Sequence, residues 1–370
     1  MLKKDEVIAM WFMFLAIIST LLLFWQRVSF PIQEPGKTGT YSIIIPARNE
    51  EENLRRLLPS ILATKSNQRE VIVVDDHSED RTREAAESFG VKVISNPPLP
   101  EEWMGKSWAC YNGAKIAKGK TLFFLDADTW FSKHGPERII QFAENRGLNA
   151  LVTVHPYHYM HSFWEKFSSI FHLVVFASSG ITTIVKDQIS KHGGFGPCLI
   201  IPAETYWELD GHQSIRSEIV EHLAFARHAE ARDVQTYAFS GRHVVNMRMY
   251  EASLKAVVEG WSKSFASGAK TASPLMTAAA ILWITAVISY LLNIPDMGWW
   301  SLIGYGILAF WLARTLREMG NFKWYDAILF PLHFLFFVVL FGYSIMKTFF
   351  WKESTWKGRN IAGKNKRGSS

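Results

Sequence analysis

Three short apolar runs, each opening directly onto charged or polar residues, constrain the fold of this chain more than any other feature. Tyr41-Ser-Ile-Ile-Ile-Pro46 leads into Ala47-Arg48-Asn49-Glu50, Val71-Ile-Val-Val74 into Asp75-Asp76-His77-Ser78, and Thr121-Leu-Phe-Phe-Leu125 into Asp126-Ala127-Asp128. Uninterrupted, β-rich runs of this length read as strands buried on both faces. After the first run an acidic turn precedes a helical pattern with Leu54, Leu57, Leu58, Ile61 and Leu62 on one face. A second helix is expected from Thr82 to Phe89. Strands alternating with helices predict an α/β fold with a mostly parallel sheet, in which ligands gather at the carboxyl ends of the strands. Arg48, Glu50, Asp75, Asp76, Asp126 and Asp128 should therefore converge on one crevice. Any one of these motifs could be a helix cap or a turn, but three polar strand ends in succession are hard to explain as three caps.

The Asp126/Asp128 pair carries the most chemistry. Two carboxylates two residues apart at a buried strand end suit a hard divalent cation, which can neutralise a diphosphate. By itself an Asp-x-Asp turn is a weak signal, and the upstream motifs give it its meaning.

In this order, Ile-Pro-Ala-Arg-Asn-Glu, Val-Asp-Asp-His-Ser and Asp-Ala-Asp resemble the family 2 glycosyltransferases over residues 41–270. The resemblance implies the nucleotide-sugar-binding fold called GT-A, with a mixed, mostly parallel sheet. Trp103-Met-Gly-Lys106-Ser-Trp-Ala-Cys-Tyr111, Val154-His-Pro-Tyr-His158, Phe195-Gly-Pro197, Arg248-Met-Tyr250, Glu259-Gly-Trp-Ser-Lys263 and Trp356-Lys-Gly-Arg359 are similar to a narrower group: membrane-bound transferases that glucosylate diapocarotenoid acids of staphyloxanthin-type pigments. The likeness implies an inverting transfer of one sugar, glucose from UDP-glucose, to a lipid-soluble isoprenoid acid, with other pigment-pathway enzymes as partners. It also implies that Pro46, Ala47, Arg48, Glu50, Asp75, Asp76, Lys106 and Asp126 bind the nucleotide-sugar. Asp128 and Asp126 would hold Mg2+ or Mn2+, with Asp128 the more direct ligand. Catalysis would fall to Asp128, Glu221 and His222.

The stretch Ser217 to Arg227 should carry the acceptor side, with Ile219, Leu223 and Ala226 at helical spacing and Glu218, Glu221 and His222 near the first turn. Most family 2 transferases have Glu-Asp here, the aspartate being the base that deprotonates a hydroxyl. This chain has Glu221-His222. Either of these residues has taken over the role, or little base catalysis is needed, as for a carboxylic acid that is already ionised near neutral pH. An ordinary hydroxyl transferase with a relaxed motif is the alternative.

With 48% hydrophobic residues in 370, the chain fills a domain of about 230 residues and leaves apolar sequence over, which lies at its ends. Val7 to Trp25 is an uncharged run of 19 residues without a small-residue cleavage site, long enough to cross a hydrocarbon core of about 30 Å. Pro274 to Ile294, Trp299 to Ala313 and Ala327 to Met346 are further candidates. The loop Pro295 to Gly298 has no Lys or Arg, whereas Arg314, Arg317 and Lys323 follow the next run, so the positive-inside rule puts residues 26–270 in the cytosol.

The expected organisation is a membrane anchor (1–30), a cytosolic transferase domain (38–250), an amphipathic interfacial helix (251–270), two or three membrane segments (271–350) and a basic tail (351–370). Ala327 to Met346 is ambiguous. A full crossing would put the basic tail outside, while Pro331 allows a re-entrant segment that returns it to the cytosol. Leu254, Val257, Val258, Trp261 and Phe265 share one face of the interfacial helix, which is expected to lie in the bilayer surface. A fragment running from residue 26 to Ala266 is then expected to be soluble.

Two cysteines, Cys110 and Cys198, exclude a disulfide framework and suit a reducing compartment. The net charge of +6 fits a membrane surface, since basic residues flank the apolar runs and no nucleic-acid module is visible. His155, His158 and His161 read as acceptor-cavity lining or core before a metal site. Processive polysaccharide synthases carry Gln-x-x-Arg-Trp where this chain has Gly260-Trp261-Ser262-Lys263, which argues for a single transfer over polymerisation.

Overall fold

The computed structural model describes residues 4–31, 34, 36–185, 194–218, 220–249, 253–268, 274–346, 355–356 and 359–360. Ile219, Tyr250, Glu251 and the tail residues Lys347, Lys352, Lys357, Lys364, Lys366 and Arg367 lie outside them. Strands β1 (Tyr41–Ala47), β2 (Arg69–Asp75), β3 (Lys92–Ser95), β4 (Thr121–Leu125), β5 (Thr129–Phe131), β6 (Ala150–His155), β7 (Tyr157–His158), β8 (Cys198–Pro202), β9 (Gln235–Ser240) and β10 (Val245–Met247) form the catalytic part, with α3 (Thr82–Glu87), α5 (Gly135–Glu144) and α7 (Ala203–Glu208) among the helices between them. Seven of them make one sheet in the order β3-β2-β1-β4-β8-β6-β9. Its pairs are parallel except those that β8 makes with β4 and β6, so the sheet is mixed and mostly parallel, as the resemblance implied.

The period-2 alternation of strand side chains divides this core. Ile43 and Ile45 of β1 face the layer of α2 (Glu51–Leu62), whereas Ile44 faces α4 (Gly105–Ile116). A Cβ at Gly113 would come within 2.4 Å of the Ile44 side chain, so only glycine lets α4 approach the sheet this closely. β1 runs through Pro46 to Ala47, past the stop expected at the proline. Its pairing to β4 ends at Ile44, so the missing Pro46 N–H costs no ladder bond on that side. The chain winds from β1 outward to β3 and then returns to place β4 on the other side of β1. This reversal is the switch point at which a crevice opens beyond the strand ends.

The apolar ends form a bundle beside the sheet. It comprises α1 (Lys4–Leu23), α6 (Ser169–Ser179), α9 (Leu254–Gly268), α10 (Pro274–Leu292), α11 (Trp300–Met319), α12 (Trp324–Ile328) and α13 (Phe330–Met346). α1 and α10 are long and apolar enough to cross a membrane; α13, of 17 residues, is apolar but shorter. The Trp283 indole donates to Thr20 Oγ1 at 2.9 Å, so the largest buried side chain joining α1 and α10 keeps no unpaired polar group. The run Ala327 to Met346 is divided, with a turn at Leu329 just before Pro331 separating α12 from α13. The inward side of α9 is turned onto protein: Val257 and Trp261 are buried, Trp261 stacks on Phe171 at 4.6 Å, and its Nε1 donates to Ser168 Oγ.

Ion pairs tie the bundle to the catalytic part, Lys166 with Asp326 and Arg242 with Glu318, while Arg248 fastens the end of β10 to Glu165 in the turn before α6. Asn321 accepts from the Met160 N–H and donates to its carbonyl. This changes the expectation for a fragment of residues 26–266. Ile170, Phe171, Leu173 and Phe176 are buried in one cluster with α1, α10, α11 and α13, and cutting those helices away exposes a contiguous apolar face. Such a fragment should aggregate unless detergent is present, which size-exclusion chromatography of the fragment with and without detergent will check.

Candidate active site

The loops after β1 and β2 are built as a pair. Asn49 and His77 both have positive φ, 55° and 56°, a region unfavourable for residues other than glycine. Asn49 holds the two loops together, donating its N–H to Ser78 Oγ and accepting from the Glu79 N–H. Glu50 donates its N–H to Thr82 Oγ1, and its carboxylate accepts from Asn53. Arg48 reaches across to Asp76, with an Nη1–Oδ2 distance of 3.7 Å. Asp76 also accepts from Asn96 Nδ2 at 2.8 Å, and Asn112 donates in turn to Asn96. Asp75 caps the Ser78 N–H. A Cβ at Gly105 would stand 3.0 Å from Asp76 Oδ2, so the start of α4 closes directly over this carboxylate.

Asp126, Ala127 and Asp128 follow β4. Asp126 donates its N–H to the Pro197 carbonyl, which ties the motif to the segment entering β8. Lys106 stands between two carboxylates, 2.6 Å from Asp126 Oδ1 and 2.6 Å from Glu221 Oε1. Burial opposes the Lys106 charge, but the two carboxylates outweigh it and raise its pKa. Burial would raise Glu221 too, yet Lys106 holds it below its ordinary value. Asp128 is pushed up to about 7 by burial first, then by repulsion from Asp126 and Glu50.

Apart from Lys106, the Oδ1 atoms of Asp126 and Asp128 are buried without a hydrogen-bond partner. Hard oxygen donors, buried, mutually repelling and short of partners, fit a divalent cation such as Mg2+ or Mn2+. The crevice thus brings together Arg48, Glu50, Asp76, Lys106, Asp126, Asp128 and Glu221, with Asp75, Pro46 and Ala47 as its supporting strand ends.

α8 (Glu221–Glu230) begins at Glu221, later than the sequence suggested, and leaves Glu218 exposed. His222 lies differently from a base facing an acceptor. Its ring is fully buried, with Nδ1–H donating to the Gly196 carbonyl. Its Nε2 has no hydrogen-bond partner, and the residue belongs to a buried group with Cys110 and His212, in which one ligand atom of each lies within 4.8 Å of the others. Burial, followed by Lys106, lowers the His222 pKa, so the ring stays neutral.

His155 and His158 pack with His172 rather than with His161, which is exposed. Burial lowers all three, His155 to about 4. Asn96 and Asn112 were missed by sequence reasoning. Asn96 directly follows β3 and is a fourth polar strand end, a signal that could have found it. Nothing local could have found His172 or His212.

The family model described as glycosyl transferase family 2 matches residues 42–209. A 4,4'-diaponeurosporenoate glycosyltransferase of Staphylococcus haemolyticus is 31% identical over 362 residues, covering 94% of this chain and 96% of that protein. The protein of the same name from Staphylococcus aureus (strain USA300) is 31% identical over 330 residues, covering 87% and 88%. Among solved structures, the mannosyltransferase PcManGT from Pyrobaculum calidifontis, in complex with GDP-Man and Mn2+, matches with a TM-score of 0.55. It covers 94% of this chain and 100% of its own, and at 15% identity the likeness speaks to the fold.

Proposed function

Because this chain belongs to glycosyl transferase family 2, we propose that it transfers a single glucose from UDP-glucose, with inversion, to the carboxylate of a membrane-dissolved isoprenoid acid of the diapocarotenoid type. The observation that carries this reading is the state of the two residues at the usual base position. Glu221 is engaged by Lys106 and held below its ordinary pKa, and His222 is buried with its Nδ1 proton committed to a carbonyl. Neither suits deprotonation of a hydroxyl. A carboxylate acceptor arrives ionised and needs no base, which agrees with the acid in the name of the staphylococcal relatives.

Arg48, Glu50, Asp75 and Asp76 are the residues we assign to the nucleotide, on the loops that Asn49 pins together. Asp128 and Asp126 would hold a divalent cation, which when bound supplies a charge partner for the diphosphate of the leaving UDP. Lys106 keeps Asp126 and Glu221 fixed relative to each other, so the crevice is preorganised before donor binds. Trp261 stands where processive synthases carry a glycan-gripping motif, but its indole is buried on Phe171 and bonded to Ser168, in keeping with one transfer.

We place the enzyme in the cell membrane as a multi-pass protein with its catalytic part cytosolic. α1 and α10 support this by length and composition. Asp326 at the start of the α12–α13 segment contacts Lys166, and Ser344 near its end donates to the Ser262 carbonyl of α9. Contacts of both ends with elements adjoining the catalytic part favour a segment that returns the tail to the cytosol.

The His222→Ala variant tests the acceptor class. With a carboxylate acceptor, loss of the buried ring should lower turnover by packing alone, about tenfold or less. The pH profile should gain or lose no limb near pH 6.5. Because burial lowers the His222 pKa, a base limb from this ring would lie below about pH 6.5; a rise in wild-type rate with pH in that range that disappears in His222→Ala would defeat the ester-forming reading in favour of a hydroxyl acceptor.

A further inference from the structure

A groove of about 820 Å³ lies along the outer face of α11, away from the crevice. At one end are Arg27, Arg242, Arg314 and Arg317, with Glu318 as the only acidic lining residue among the described residues. Glu318 pairs with Arg242 at 2.8 Å, leaving three arginine charges in excess. Among the described residues Arg314 donates to the uncharged carbonyls of Phe24 and Trp25 and lies over the Trp311 ring at 4.9 Å; it is repelled by Arg27 and attracted more weakly by Glu318. The side chains of Arg27 and Arg317 make no ion pair or hydrogen bond among the described residues.

From the arginines the groove runs over Ala309, Gly306 and Leu302 of α11. A Cβ at Gly306 would meet nothing within 4 Å, so the lane is open there. Fifteen residues separate Leu302 from Arg317, about 22 Å along a helix at 1.5 Å per residue, which exceeds the roughly 15 Å of one leaflet's hydrocarbon. The arginine end lies on the side of the catalytic part, where Arg242 enters from the β9–β10 connection.

We propose that this groove is a binding site for one anionic phospholipid of the cytoplasmic leaflet, its phosphate among Arg27, Arg314 and Arg317 and one acyl chain along α11. Charge complementarity argues for the occupant: an uncompensated cationic rim joined to an apolar lane matches an anionic head joined to a chain. A lipid held here would contact Arg27 in the segment after α1, α11 and Arg242 of the catalytic part at once, and so hold the domain against the membrane. The proposal rests on α11 being embedded in the membrane and is independent of the acceptor assignment.

Native mass spectrometry of the detergent-solubilised full chain tests it, with phosphatidylglycerol and phosphatidylcholine of identical acyl chains as probes. One phosphatidylglycerol should be retained per chain, roughly tenfold over phosphatidylcholine. Arg27→Gln with Arg317→Gln should abolish that preference while melting as wild type does in lipid-free detergent. Arg27→Lys with Arg317→Lys should keep it, and Gly306→Phe, by filling the lane, should weaken retention of both lipids. Equal retention of the two lipids by wild type, or a preference that survives the glutamine pair, would overturn the proposal. So would displacement of the phospholipid by an equal concentration of a long-chain carboxylic acid, which would make the groove an acceptor site instead.

Discussion

Asp128→Asn should lower sugar transfer by roughly a thousandfold while making the metal-free protein more stable, two opposite effects from one substitution. The activity loss follows because a neutral amide is a poor ligand for a hard cation, and removal of a single preorganised electrostatic group costs on the order of 10² to 10³ in turnover. The stability gain follows from the pKa. In the fold Asp128 is raised from its ordinary 3.8 to about 7 by burial, Asp126 and Glu50, so its ionised form is disfavoured there and not in the unfolded chain. The folded state therefore binds the proton more tightly, and the cost of the carboxylate grows from about pH 4 to about pH 7 and is full above that. Asparagine removes this cost, so the gain should be largest above pH 7 and fade as pH falls towards 4. Thermal melting in EDTA across this range reads the gain. Near wild-type turnover of Asp128→Asn in saturating Mn2+ would show that this carboxylate is no metal ligand.

Lys106→Met should be nearly as damaging to activity and, unlike the first variant, should destabilise. The ammonium is the shared partner of Asp126 and Glu221 at 2.6 Å each, and its removal leaves two carboxylates facing one another, Glu221 almost wholly buried. Removing one member of a buried ionic group costs roughly 3 kcal/mol, because the remaining charge stays desolvated without its partner. Adding Glu221→Gln should recover part of that stability by deleting one stranded charge, without restoring transfer. Urea denaturation of the single and double variants separates the two effects. If Lys106→Met unfolded at the wild-type midpoint, the bridge would be an incidental surface contact.

The parts of this site that follow directly from strands were legible in the sequence. β1, β2 and β4 are continuous apolar runs, and their polar ends face one crevice because the chain reverses at β1, a consequence of element order alone. What the sequence hid depends on distant packing. Lys106 opens α4, and only the folding of that helix over Asp76, with α8 opposite, brings it to both Asp126 and Glu221. The replacement of the usual aspartate by His222 could be read, but the direction of its ring depends on Gly196 and on His212, ten residues upstream. His172 joins His155 and His158 through α6, which no spacing around residue 160 reveals. The amphipathic pattern of α9 was visible, but whether that face meets lipid or protein is decided by α6 and α13.

The most direct test of the account is the product made by the purified full chain in detergent with UDP-glucose, a divalent cation and a diapocarotenoid acid. Its mass should exceed that of the acid by one hexose and no more, and mild alkali should return the free acid, because the new bond is an ester. An alkali-stable product, a ladder of added sugars, or transfer to a carotenoid alcohol in preference to the acid would contradict it.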